Sequence, residues 1–69
     1  MNLAQAMTKF AGNLKKLRKS KGVTQEQMRD YGFNYRYYQK MEAGQVNIRL
    51  DMIVRLVNTF KCSISDLFK

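Results

Sequence analysis

Apolar residues in the first part of the chain recur at helical steps. Leu3, Met7, Phe10, Leu14 and Leu17 form one continuous stripe, with Lys15, Lys16 and Lys19 off it. Asn2 followed by Gln5 reads as a capping box, which starts a first helix near residue 3, and Thr8 is a later candidate cap; Gly22 ends the helix. Thr24 and Gln27 form a second capping box, opening a short helix that carries Met28 and Tyr31 on one face and stops at Gly32. It is too short to stand without tertiary packing. Phe33 precedes Asn34, the cap of a third helix running to about Glu42, on which Tyr38 and Met41 share one side. Tyr35, Arg36, Gln39, Lys40 and Ala43 occupy the other side, and Gly44 breaks the chain. Leu50, Ile53, Val54, Leu56, Val57 and Phe60 mark a fourth amphipathic helix, and Ser63 with Asp66 caps a short fifth one containing Ile64 and Leu67. No strand-like alternation survives beyond four residues. The pattern predicts an all-α fold, five short helices around a single core, in one domain over residues 1–69.

Composition sharpens this picture. A chain of 69 residues buries only roughly 60% of the surface it exposes when unfolded, so its monomer is marginally stable. Thirteen Lys/Arg against five Asp/Glu give a net charge of +8, which points to a polyanionic partner. The first 25 residues hold Lys9, Lys15, Lys16, Arg18, Lys19 and Lys21 and no acid. Nucleic acid and an anionic membrane surface both fit that excess, as does a merely solvated basic face. The membrane reading is the weakest, because the apolar stripes are needed for the core. With no histidine and Cys62 as the one cysteine, there is no metal cluster, disulfide framework or Cys-His nucleophile, and Cys62 is expected to pack as a small hydrophobe. No glycine-rich phosphate loop is present, no cofactor is implied, and an enzyme is not expected. Without a signal segment or a long apolar run, a cytoplasmic location is expected.

Two short helices joined by a tight glycine-containing turn, on so basic a chain, are the parts of a helix-turn-helix. The run Leu14-Lys15-Lys16-Leu17-Arg18-Lys19-Ser20-Lys21-Gly22-Val23-Thr24-Gln25-Glu26 resembles the opening of the phage-repressor (Cro-type, XRE) family. Gly32 through Gly44, ending Glu42-Ala43-Gly44, resembles its recognition helix. Asn47-Ile48-Arg49-Leu50 and Ser63-Ile64-Ser65-Asp66-Leu67-Phe68 resemble the entries to its fourth and fifth helices, so the likeness spans residues 10–68. It implies a lambda-repressor-like DNA-binding domain with the helix-turn-helix at helices 2 and 3. Three departures stand out. Thr24 to Gly32 is one residue shorter than the family pattern, with Arg29 near a position normally held by alanine, which predicts a shortened or tilted second helix. Arg49 replaces a capping Ser or Thr, and Lys61 replaces a glycine at the end of the fourth helix.

The candidate DNA-binding residues follow from both readings. Arg36 and Lys40, four apart on the exposed face, are the cations of the recognition helix; Arg36 can donate a parallel pair of hydrogen bonds to guanine, and Lys40 can reach guanine or phosphate. Tyr35 faces outward at the first turn, within reach of a thymine methyl or a phosphate. Tyr37 lies on the flank, a candidate backbone contact, and Gln39 becomes a base reader if the helix is rotated. Tyr38 stands where the family places a core aliphatic residue, so it is expected to pack inward with its hydroxyl needing a partner. The resemblance gives Gln25 a phosphate contact and a brace on the first recognition residue. Asn34 is a cap first and a phosphate contact second, and Asn47 matches a loop residue that clamps backbone or DNA. Arg18 and Glu42 match family positions that form a partly buried ion pair.

These expectations converge on a sequence-specific double-stranded DNA-binding transcriptional regulator, acting as a homodimer on a pseudo-palindromic operator and responding to its own concentration. Ile64, Leu67 and Phe68, at the C-terminal end where the resemblance puts family pairing, are the candidate dimer interface; the Leu3/Met7 face competes with them. Two alternatives remain open. One is an antitoxin-like protein that binds a toxin partner and represses its own operon. The other is a single-strand or RNA binder that stacks bases on its tyrosines.

Overall fold

The computed structural model describes residues 1–69 and contains three α-helices and two 3-10 helices. Helix α1 spans Leu3–Lys21, and a 3-10 helix follows over Glu26–Tyr31; α2 spans Tyr35–Glu42 and α3 spans Leu50–Phe60, before a closing 3-10 turn over Ile64–Leu67. Local signals set most boundaries. The Asn2 side chain accepts from the Gln5 N–H at 2.8 Å, and the Gln5 side chain accepts from the Asn2 N–H at 2.9 Å. Thr8 therefore lies inside α1 and caps nothing. Thr24 and Gln27 make the same reciprocal pair at 2.8 and 3.1 Å. Gly22, Gly32 and Gly44 all sit at positive φ, where a side chain would be strained.

The first helix, at 19 residues, runs between the expected start near residue 3 and the Gly22 stop, whereas the second is wound differently from an α-helix. The region that falls one residue short of the family pattern is a 3-10 helix. Its steeper rise, ~2.0 Å per residue against ~1.5 Å, carries six residues about as far as eight α-helical ones. The tighter winding compensates for the missing length and still delivers Met28 fully buried into the core. Tyr31 instead stays at the surface with the Lys21 ammonium 4.9 Å above its ring.

The core joins Phe10, Leu14, Met28, Phe33, Tyr38, Met41, Leu56 and Leu67. Helix α1 is its spine, packing on α2, α3 and the closing turn. Leu67 corrects one interface assignment: it is fully buried in its own chain, so it has no surface to offer a partner. The final apolar pair alternates around the turn, and Leu67 faces α1, whose Asn13 amide donates to its carbonyl at 3.1 Å. Ile64 remains exposed, while Phe68 is half-buried against the Phe10 ring at 5.8 Å. Cys62 is likewise only half-buried.

Helix α3 also departs from a simple core helix. Of its apolar residues only Leu56 is buried, whereas Leu50 is 71% and Val54 44% exposed. Its ends are imperfect as well. Arg49 gives no side-chain cap, and Lys61 closes the helix at φ 53° and ψ 48°, the one non-glycine residue with positive φ. That conformation costs about 1–2 kcal/mol for an L-residue.

Candidate nucleic-acid interface

Helix α2 is held in place by its two ends. At the start, the Asn34 side chain accepts from the Tyr37 N–H at 3.0 Å, leaving the Asn34 amide nitrogen free to donate outward. Phe33, just before the cap, packs on Tyr38 with ring centroids 5.8 Å apart, a hydrophobic staple that fixes the angle at which the chain enters the helix. At the far end Glu42 is turned inward, its side chain 2% exposed. Arg18 meets it with two parallel hydrogen bonds, from Nε at 2.7 Å and Nη2 at 3.1 Å, and spends Nη1 on the Val23 carbonyl at 2.8 Å. One guanidinium thus joins α1, the loop after it and the end of α2.

Burial pushes the Glu42 carboxyl up, but the hydrogen bonds from Arg18 and Gln25, with Tyr38 close by, outweigh it and hold the group below its ordinary value. The hydrogen bond to Glu42 raises the Arg18 value, so both partners are charged at neutral pH. The Tyr38 hydroxyl is enclosed beside this pair without a well-formed hydrogen bond. Burial first, then the neighbouring carboxylate, pushes its pKa far above that of a free phenol.

Gln25 is placed differently from the brace that the resemblance implied. Its amide donates to Glu42 Oε1 at 3.0 Å, at the C-terminal end of α2, and not to Tyr35 or Arg36 at the beginning. The buried carboxylate has spare acceptor capacity and takes that N–H. Gln25 remains half-buried, at the start of the 3-10 helix.

The outward side of α2 brings Tyr35, Arg36, Gln39 and Lys40 together. Gln39 donates its amide N–H to the Tyr35 hydroxyl at 3.1 Å across one helical turn, leaving its carbonyl oxygen unengaged. Arg36 and Lys40 are exposed and make no ion pair. Tyr37 is half-buried on the flank, where it lines a shallow cleft with Gly32, Asn34, Arg49, Asp51, Met52 and Arg55. Asn47 stands apart from this group. It lies exposed in the connection to α3, beside an apolar cleft lined by Leu3, Met7, Val46, Ile48 and Phe68.

One residue at the turn escaped the sequence reading. Arg55 of α3 donates from Nη2 to the Gly32 carbonyl at 2.9 Å, and its guanidinium lies 4.6 Å from the centre of the Phe33 ring. The available signal was its position as the lone cation within the most apolar helix. Its partner, however, is 23 residues away. Elsewhere no group of His, Cys, Asp or Glu is arranged to hold a metal ion, and no helix is long and apolar enough to cross a membrane.

Comparison with known proteins agrees with this geometry. The helix-turn-helix family profile matches residues 14–67. The crystal structure of the restriction-modification controller protein C.AhdI from Aeromonas hydrophila superposes with a TM-score of 0.80 at 32% identity, covering 90% of this chain and 96% of that one. No curated protein sequence matches the chain. With the profile spanning both helices of the motif and the solved fold matching nearly end to end, this chain belongs to the phage-repressor (Cro-type, XRE) helix-turn-helix family.

Proposed function

We propose that the protein is a homodimeric operator-binding regulator that works as a controller of restriction-modification genes, in the manner of the similar C.AhdI. That it is a sequence-specific DNA-binding regulator follows from its family. The observation that carries the reading of its surface is the charge on α2. Its sole carboxylate, Glu42, is buried and bonded from within, so the outward face presents only neutral and cationic groups. In the major groove Arg36 reads guanine, Tyr35, Gln39 and Lys40 extend the contact, and Asn34, Tyr37, Gln25 and Asn47 meet backbone phosphates.

A second copy of the chain supplies the other half-site, about one helical turn or ~34 Å along the duplex. Exposed Leu50, Val54 and Ile64 support this assembly, since they lie on two elements packed against each other and leave much of their apolar surface open. Phe68 adds its open edge, although its ring also rests on Phe10. Ile64→Asp is therefore a cleaner test than a change at Phe68, and sedimentation should show it as a folded monomer with much weakened operator binding. An unchanged dimer would move the interface to the Leu3/Met7 face.

Selection from randomised duplexes, followed by Arg36→Ala, tests the reading mechanism. The variant should lose about 1–3 kcal/mol on the selected site and relax preference at one or two base pairs. Equal loss on every sequence would remove Arg36 from base reading. Log affinity should also fall against log salt with a slope of about −0.9 per phosphate neutralised. Tighter binding to single strands than to duplex would defeat the assignment.

A further inference from the structure

The recognition helix is gripped from a side that the helix-turn-helix motif does not include. Helix α2 packs on α1 and on the Glu26–Tyr31 helix, while α3 packs on α1 and on the closing turn. Only one hydrogen bond runs from α3 to the motif, that from Arg55 Nη2 to the Gly32 carbonyl at 2.9 Å. Gly32 is the left-handed residue that ends the 3-10 helix, and helix ends leave carbonyls without intrahelical partners. The same guanidinium lies over Phe33, which staples the first turn of α2 through Tyr38.

We propose that Arg55 is a positioning residue for base reading: by holding Gly32 and Phe33 it sets the orientation of α2 from α3. The inference rests on the operator-binding function proposed above. Three observations converge on it. Arg55 has no carboxylate partner, so its charge is committed to the turn. A Cβ at residue 32 would stand 3.3 Å from Arg55 Nη2, so the glycine that permits the left-handed turn also permits the close approach. Finally, a planar guanidinium can lie flat on a ring while an edge N–H points at a carbonyl, so both contacts form together. A lysine ammonium is a hydrated point charge on a flexible stem and does not reproduce that geometry.

Arg55→Lys in the full chain, which keeps the charge, is the decisive variant, with Arg55→Met as its uncharged companion. In the free protein, both should shift the Gly32 carbonyl carbon resonance and speed amide exchange at Gly32 and Phe33, while Leu14 and Arg18 amides stay protected. On DNA, Arg55→Lys should lose about tenfold of its discrimination between the selected operator and a single-base variant, at an unchanged salt slope. A lysine variant with wild-type resonances and discrimination would overturn the proposal. So would a shifted Gly32 resonance with discrimination intact, which would make the grip purely structural. A salt slope shallower by about 0.9 with discrimination retained in Arg55→Met, restored by lysine, would instead make Arg55 a phosphate contact. Absence of sequence preference in the wild-type protein is a separate result that removes the operator-binding function and the inference with it.

Discussion

The two halves of the chain use their apolar residues in opposite ways. From Phe10 to Met41 most large apolar side chains are turned into the protein: Phe10, Leu14, Met28, Phe33, Tyr38 and Met41 are all buried while Tyr31 stays at the surface, and a buried ion pair locks α1 to α2. After Glu42 the sequence is more apolar, yet only Leu56 and Leu67 are fully buried; Met52, Ile53, Val57 and Phe60 pack against the core half-buried, and Leu50, Val54 and Ile64 lie open. Turn chemistry differs as well. The first half makes its left-handed turns with Gly22 and Gly32, whereas the second uses Gly44 and then forces Lys61 into one. The motif thus buries most of its own apolar side chains, with Arg55 its hydrogen-bonded tie to α3, and the C-terminal part is left with surface that its own fold does not consume. In a domain this small, that open apolar face is the surface the proposed dimer would cover.

The sharpest way to break this contrast is to attack the ion pair. Arg18→Met leaves Glu42 enclosed without its principal partner, and the expected loss is about 3–5 kcal/mol. Total stability for such a chain is of order 3–10 kcal/mol at ~0.05–0.15 kcal/mol per residue, so the variant should lose a large share of it and show a much lower urea midpoint by circular dichroism. Acid probes the same pair reversibly. The folded Glu42 value lies below its unfolded one, so its stabilisation is complete above the unfolded value of about 4.3 and is lost as pH falls through the folded value. Asp66, held low by its hydrogen bond with Lys69, titrates in the same direction. The comparison that isolates Glu42 is therefore Glu42→Gln, whose urea midpoint should change less between pH 7 and pH 3 than that of the wild type.

Two leucines on α3 sharpen the contrast further. Leu56→Ala should cost about 2–5 kcal/mol because its side chain is fully enclosed. Leu50→Ala, measured at dilution where the chain is monomeric, should stay within about 0.5 kcal/mol of wild type. Equal losses at the two positions would mean that α3 is a core helix throughout, and the case for an open assembly face would disappear.

What could be read in the sequence follows the range of each interaction. The Asn2–Gln5 and Thr24–Gln27 boxes, the Asn34 cap and the Gly22 and Gly32 stops join residues three or four apart, so residue type and spacing display them directly. The inward side of α2 was visible in the same way, from Tyr38 and Met41. The missing residue before Gly32 was visible too, but the choice between tilting the helix and winding it as 3-10 depends on where Met28 meets the core. Contacts between distant segments left no local pattern. Arg55 on Gly32, Gln25 on Glu42 and Leu67 against α1 each depend on how helices cross, and nearness to the chain end proved a poor guide to the exposure of Leu67.

A smaller effect is expected at the end of α3. Lys61→Gly relieves the left-handed strain, offset in part by the greater freedom of glycine in the unfolded chain, so a gain of about 0.5–1 kcal/mol should appear as a higher thermal midpoint. The same change at the already glycine-closed end of α1 has no counterpart. A loss of stability in Lys61→Gly would mean that the lysine side chain makes contacts that outweigh its backbone strain.

The smallest effect tests the reading head from inside. Tyr38 is the one polar side chain in the first half whose buried oxygen lacks a well-formed hydrogen bond, and an unsatisfied buried group is unfavourable by about 1–3 kcal/mol. Tyr38→Phe removes that oxygen while keeping the ring against Phe33. The small void left behind offsets part of the gain, so the variant should equal the wild type or exceed it by up to about 1 kcal/mol in urea denaturation. Its acid unfolding should be unchanged, because Arg18 and Gln25 still supply the hydrogen bonds that keep Glu42 ionised. Should Tyr38→Phe instead lose more than about 1 kcal/mol and unfold at higher pH, the phenol would be donating to Glu42. The cluster would then be a four-residue network in which Tyr38 both fills the core and stabilises the carboxylate.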